Sequence, residues 1–190
     1  MDTNPTTTTS CLDVTVSCVK NYFSKQPKDV NLLTWLTSAK YKHVIEQLRN
    51  TQDKQQRQRL KSGLPAITPA GRFLRVEEKY FEGHSGFVQF DIDAKDNTHI
   101  KNYYSLHTQL RHISNIAYCG LSASGTGWWG LVRIGYADKH AMHWQYIHNA
   151  LKRMGINIDP APKNICALRG YSYDAHAYFN HNATKPLDYT

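Results

Sequence analysis

The stretch Gly86-Phe87-Val88-Gln89-Phe90-Asp91-Ile92-Asp93 drives an apolar, strand-like run straight into two carboxylates placed two residues apart. In an extended chain successive side chains point to opposite faces, so Asp91 and Asp93 project from one face, about 7 Å apart. Two carboxylates on one face repel unless a cation lies between them. Hard oxygen ligands of this kind suit Mg2+ or Mn2+, the ions that clamp phosphoryl groups. The same Asp-x-Asp spelling also suits a polar turn at a strand end, so its surroundings decide between the two readings.

The hydrophobic pattern after Gly86 divides into six elements. The strand ending at Asp93 comes first. Asp96 or Asn97 then offers a helix cap, and Ile100, Tyr103, Tyr104, His107 and Leu110 recur at helical spacing. Residues 113 to 122 look extended and turn through Ser124-Gly125-Thr126-Gly127 into a second run, Trp128 to Ile134, which predicts a hairpin. From Ala137 the pattern is helical again, with Ala141, Trp144, Ile147, Leu151 and Met154 on one face and Gly155 as the C-cap. Ile156-Asn157-Ile158-Asp159 closes the set as a short strand.

Strand, helix, strand, strand, helix, strand is the split βαβ order, so the expected fold class is α+β with a ferredoxin-like or RRM-like βαββαβ core. In that sheet the first and third strands are central neighbours. Asp91, Asp93, the Ser122–Gly127 turn and Asp159 are therefore expected on one sheet edge. A third carboxylate beside the pair suits a site for phosphoryl transfer, and the glycine-rich turn offers backbone N–H groups to phosphate oxygens. The same turn also reads as an ordinary flexible hairpin.

Three segments carry a family resemblance that covers most of the chain. Leu64-Pro65-Ala66-Ile67-Thr68-Pro69-Ala70-Gly71-Arg72-Phe73, Ser85 to Asp93, and Ser122-Ala123-Ser124-Gly125-Thr126-Gly127 resemble the amino-terminal domain of VirE-like proteins of Bacteroidetes mobile elements. Ile158-Asp159-Pro160, followed by Tyr171-Ser172-Tyr173-Asp174 and Asn180, resembles the closing segment of that domain. Such domains often precede a helicase and are similar to the archaeo-eukaryotic primase and primase-polymerase superfamily. The resemblance implies metal-dependent, template-directed nucleotidyl transfer in replication of a mobile element or plasmid. Its implied partners are single-stranded or primed DNA, nucleoside triphosphates and a helicase. Asp91, Asp93 and Asp159 are the implied catalytic and Mg2+- or Mn2+-binding carboxylates, with Asp174 competing for the third place. Ser122, Ser124, Gly125 and Gly127 are the implied phosphate-binding residues.

The chain also departs from that pattern. Trp128-Trp129 stands where these primases carry a triphosphate-contacting His, and a Trp offers stacking on a base instead. Ala167 stands where an Arg is common, which leaves Arg133 and Arg169 as candidate phosphate contacts.

Lys and Arg outnumber Asp and Glu by 23 to 15, for a formal net charge of +8, so a phosphate-bearing partner is favoured. Much of this charge lies between Lys40 and Lys61. Val44, Ile45 and Leu48 predict a helix docked at one end, with Lys54, Arg57, Arg59 and Lys61 on a basic extension toward Gly63. Those four cations are the candidate nucleic-acid contacts, together with Trp128 and Trp129. A solvated helix face is the other reading of the same run.

At 190 residues with 41% hydrophobic content, the chain supports one substantial core. The expected organisation is a disordered Thr-rich leader at 1–10, one domain at 11–185 with a strand-and-helix addition over 11–80 and the core over 81–175, and a tail at 186–190. Leu12 to Val19 alternates like a strand and Val30 to Trp35 opens a helix. No run is long and apolar enough to span a membrane and no secretory leader is visible, which predicts a cytoplasmic location. Cys11, Cys18, Cys119 and Cys166 lack Cys-x-x-Cys spacing and are expected reduced and mostly buried, without a zinc site. His140 and His143 share a helix face, but no zinc or rolling-circle nuclease motif accompanies them.

Two functions of different classes remain. One is a primase-polymerase nucleotidyltransferase. The other is a single-stranded nucleic-acid-binding module of a helicase-associated replication protein, with little or no chemistry of its own.

Overall fold

The computed structural model describes residues 9–185; residues 1–8 of the expected leader and the expected tail at 186–190 lie outside the described residues. Two strands, β1 (Thr15–Val19) and β2 (Lys28–Asn31), lead into α1 (Leu32–Thr37), α2 (Lys42–Asn50) and α3 (Lys54–Gly63). Three short strands follow, β3 (Ala66–Thr68), β4 (Gly71–Phe73) and β5 (Phe81–His84). Then come β6 (Phe87–Asp93), α4 (Leu106–Leu110), β7 (Ile116–Leu121), β8 (Gly127–Arg133) and α5 (His140–Arg153). Two-residue strands β9 (Arg169–Gly170) and β10 (Tyr178–Phe179) complete the described strands and α-helices.

The architecture is mixed α+β with antiparallel sheets. One has the order β10-β7-β8-β6, a second the order β2-β1-β3-β9, and β4 pairs with β5. Strand β6 lies along β8 from Phe87 opposite Arg133 to Asp93 opposite Gly127. This register brings the carboxylate end of β6 to the Ser122–Gly127 turn between β7 and β8.

The β6–β8 sheet is buried on both faces, which accounts for the apolar density of Phe87–Phe90 and Trp128–Val132. Val88, Phe90 and Ile92 pack with Leu106 and Leu110 of α4 and with Trp144, Ile147 and Leu151 of α5. On the other face Phe87, Trp129 and Leu131 pack against Val16, Leu32, Trp35 and Ile45 of the N-terminal segment. Each fully buried side chain of this size contributes about 1.5–3 kcal/mol by leaving water. The residues before Gly86 thus form the layer that closes the second face of the sheet.

Three sequence expectations change. The helix expected from Asn97 to Leu110 shrinks to α4, because Asn97 is not a cap but a buried staple. Its Nδ2 donates to Asp93 O and Asn157 O, and its Oδ1 accepts from the Asn157 N–H. No strand forms over 156–159: the Asn157 amide N–H goes to that staple, and Pro160 cannot donate to a ladder. Ile156 and Ile158 still point into the core, and the Asp159 N–H donates to Asp91 O at 2.9 Å. The single basic helix is broken into α2 and α3, with Asp53 capping α3 through the Gln56 N–H.

Histidines tie the β4–β5 pair to α5. The Gly86 N–H donates to His84 Nδ1, which places the His84 proton on Nε2, 3.0 Å from His140 Nδ1. His140 Nε2 in turn lies 3.3 Å from Pro162 O. The chain of bonds requires both rings to be neutral, and burial, followed by His140 and His143 nearby, lowers the His84 pKa to about 4.

All four cysteines are free thiols. Cys119 alone is buried, which pushes its pKa up to about 12, while Cys11, Cys18 and Cys166 are half-buried rather than enclosed. Among the described residues no helix is long and apolar enough to cross a membrane.

Candidate functional site

Alternation along β6 sends Gln89, Asp91 and Asp93 toward the N-terminal layer, opposite Phe90 and Ile92. The strand's last turn is fixed by two buried groups. Tyr103 donates its hydroxyl to Ile92 O at 2.6 Å, and Asn97 holds Asp93 O to the segment 157–159. Asp159 is thereby placed beside Asp91.

Asp91, Asp93 and Asp159 border one cavity of about 190 Å³, together with Ser122, Ser124 and Arg169. Arg169 Nη2 donates to Asp91 Oδ2 at 2.8 Å and its Nε to Gln89 Oε1 at 3.1 Å. Gln89, itself buried, donates to Ala167 O and so fastens the 167–169 segment to β6. Asp91 Oδ1 is buried and accepts no hydrogen bond. Asp93 is more open and pairs with Lys95 at 3.6 Å, while Asp159 Oδ1 accepts from the Ala161 N–H.

The Ser122 and Gly125 N–H groups are used inside the turn, bonding to Gly127 O and Ser122 O. The Ser122, Ser124 and Thr126 hydroxyls form a chain at 3.1 and 2.9 Å. Gly125 has φ +75°, and a Cβ there would press on the Arg49 stem. Arg49 of α2 donates to Ser122 O, Ala123 O and Tyr173 O, clamping the turn from behind.

Beside this cavity runs a larger groove of about 690 Å³, which shares Lys61, Asp93 and Ser124 with it. Lys54, Arg57 and Lys61 line the groove, as their i, i+3, i+7 spacing on α3 dictates. None of the three forms an ion pair among the described residues. Arg59 falls on the opposite side of α3, beside Tyr41 and Leu60.

Other candidates lie elsewhere. Trp129 is 0% exposed, with its Nε1 donating to Ser172 Oγ, and Trp128 is 6% exposed and stacked on His107. Both are core residues in this fold, so neither ring face is open to a base. Arg133 sits at the far end of β8 and donates to Ala183 O. Asp174 accepts from the Leu121 and His176 N–H groups and does not border the cavity, which separates it from Asp159. Two contributors carried no readable signal. Arg49 is one; Tyr22, which borders the cavity and packs on Gly170, is the other.

The donor chemistry can be tested against a divalent ion. Three carboxylates around one cavity, one oxygen of them buried and bare, offer the hard ligands that Mg2+ or Mn2+ takes. As they stand, however, no three His, Cys, Asp or Glu side chains among the described residues are gathered into a metal-holding group. The Arg169 fork already occupies one face of Asp91.

The structure thus defines a mixed α+β domain with an acidic, serine-edged cavity opening onto a cationic groove. Residues 59–179 match the BT4734-like, N-terminal domain family, and the chain belongs to that family. Comparison with curated proteins gives no match, and comparison with solved structures gives none.

Proposed function

We propose that this domain is a primase-polymerase-type nucleotidyltransferase acting in replication of a mobile element or plasmid, related to VirE-like amino-terminal domains and working with a helicase. In this reading β6, α4, β7, β8, α5 and the extended 156–159 segment are a ferredoxin-like palm whose edge strand has lost its ladder. The observation that carries the proposal is the meeting of Asp91, Asp93 and Asp159 with the Ser122 and Ser124 hydroxyls at one cavity, open to the α3 groove.

Asp91, Asp93 and Asp159 would hold Mg2+ or Mn2+, which supplies neutralisation of phosphoryl charge and activation of a 3′-hydroxyl. The chain's own groups do the positioning. The Ser122 and Ser124 hydroxyls donate to triphosphate oxygens, Lys61 attracts the same charge, and Lys54 and Arg57 hold the phosphates of single-stranded or primed DNA.

The Asp91–Arg169 pair favours a second reading, a single-stranded nucleic-acid-binding module without chemistry, because it neutralises Asp91 without a metal. Incorporation of nucleotides on single-stranded and primed DNA with Mg2+ or Mn2+ separates the two. Wild-type incorporation that disappears in Asp91→Asn plus Asp93→Asn supports the enzyme. Absence of incorporation with DNA binding retained by both proteins supports the binding module.

A further inference from the structure

Arg169 is held at three points: by Asp91 Oδ2, by Gln89 Oε1, and by the Trp129 ring, whose centre lies 5.1 Å from the guanidinium carbon. Only 13% of its side chain and 18% of that of Asp91 is exposed, so water and salt screen the pair poorly. Asp91 is nonetheless satisfied on one oxygen only. Its Oδ1 is buried with no donor, and Asp93 and Asp159, which line the same cavity as Asp91, add negative charge. A bare buried carboxylate oxygen is unfavourable and attracts any cation that can reach it.

A divalent ion entering between Asp91 and Asp93 would compete for the carboxylate that Arg169 already neutralises, because two positive centres on one carboxylate repel. We propose that Arg169 is the resident counter-cation of Asp91 and yields its place to a divalent ion, so that cation binding and release of the Asp91–Arg169 pair are one coupled event. The inference rests on the metal reading above. It accounts for three carboxylates bordering one cavity: the guanidinium neutralises the innermost of them. Arginine suits the task, since its charge is permanent and its plane can remain stacked on Trp129 while the fork turns. Once released, the fork stays in the cavity that holds the Ser122 and Ser124 hydroxyls, where it is available to an anion. Arg169 is then a positioning residue for the empty site and a phosphate contact for the loaded one.

The test is Mn2+ binding to the full chain without nucleotide, followed by electron paramagnetic resonance and calorimetry. Arg169→Gln removes the competing charge and is expected to tighten Mn2+ binding about tenfold, a usual size for coupled equilibria. Asp91→Asn should abolish that binding in both backgrounds. Arg169→Lys keeps the charge without the fork and is expected to fall between wild type and Arg169→Gln; it serves also if the glutamine variant does not fold. A purely structural clamp predicts the opposite sign, with Asp91 loosened and Mn2+ bound more weakly. Wild-type binding through Asp91 that either variant leaves unchanged or weakens overturns the counter-cation role while the metal reading stands. Absence of Asp91-dependent Mn2+ binding in every protein overturns both.

Discussion

Arg49→Ala tests how the serine turn is held. The Arg49 guanidinium donates to Ser122 O at 3.0 Å, Tyr173 O at 2.9 Å and Ala123 O at 3.3 Å. Hydrogen bonds to a charged group are each worth about 1.5–3 kcal/mol, less where the freed acceptors can rehydrate. The site is half-buried, so the two short bonds carry most of the effect and the longest one little. The stem adds packing at Gly125, where a Cβ would come within 3.1–3.6 Å of Arg49 Nε, Cδ and Cγ. The expected loss is about 2–3 kcal/mol, or about 5–10 °C in Tm for a domain of this length. Urea unfolding followed by tryptophan fluorescence measures it. Arg49→Lys reaches one carbonyl at a time and should recover no more than about a third of the loss. A loss below about 0.5 kcal/mol in the alanine variant, or full recovery in the lysine variant, would refute the clamp.

The histidine chain makes stability depend on acid. His84 titrates in the folded protein at about 4 against 6.5 unfolded, and burial also lowers His140 and His143. The unfolded chain therefore binds more protons across this window. Stability is fully present above about pH 6.5 and is lost as pH falls toward 4, with a slope of up to about 1.4 kcal/mol per pH unit for each proton linked. His84→Gln keeps an acceptor near the Gly86 N–H and should reduce that slope by close to one proton in unfolding titrations between pH 4 and 7.5; an unchanged slope would count against the chain. In the groove, Lys54→Gln, Arg57→Gln and Lys61→Gln together should lower the slope of log affinity against log salt for single-stranded DNA by about 2, at about 0.7 per charge, while Arg59→Gln leaves it alone. Equal effects from all four positions would dissolve the distinction between the two sides of α3.

Strands β6, β7 and β8 and helix α5 are legible because their periods are set by residues that face one dense core. The alternation of Val88, Phe90 and Ile92 has one solution as a strand, and Trp144, Ile147 and Leu151 have one as a helix, although Ala141 and Met154, read on the same face, are exposed. What fails in the sequence reading fails for non-local reasons. Asn97 has the spelling of a helix cap, but its partners lie sixty residues away at Asn157. Trp129 has the composition of a stacking platform, and only tertiary packing, with Trp35 of the N-terminal layer and Tyr118 of the neighbouring strand β7 against it, makes it a core residue. Arg49 has no local pattern at all, since a clamp on carbonyls at 122, 123 and 173 leaves no periodic trace at position 49. Arg133 and Arg169 are equivalent as cations in sequence, and the register of β8 alone sends one of them to the far end of the sheet.

Closure of the second sheet face constrains function more than any single residue does. A sheet with an open face binds single strands by stacking bases across it on exposed aromatic rings. Here that face is covered by Trp35, Leu32 and Ile45, and its own aromatic, Trp129, is enclosed. On the proposed reading, a nucleic acid is engaged instead at the sheet edge, through phosphates rather than bases stacked on the sheet face. That edge offers cations on α3 and hydroxyls on the serine turn. It also carries carboxylates, and these are the groups that a phosphate-binding surface should avoid. A simple binding module gains nothing from Asp91, Asp93 and Asp159 beside a phosphate track, since like charges there weaken binding. Their presence makes sense when a cation stands between carboxylate and phosphate. The Asp91–Arg169 pair shows the protein supplying a cation of its own at the innermost of those positions.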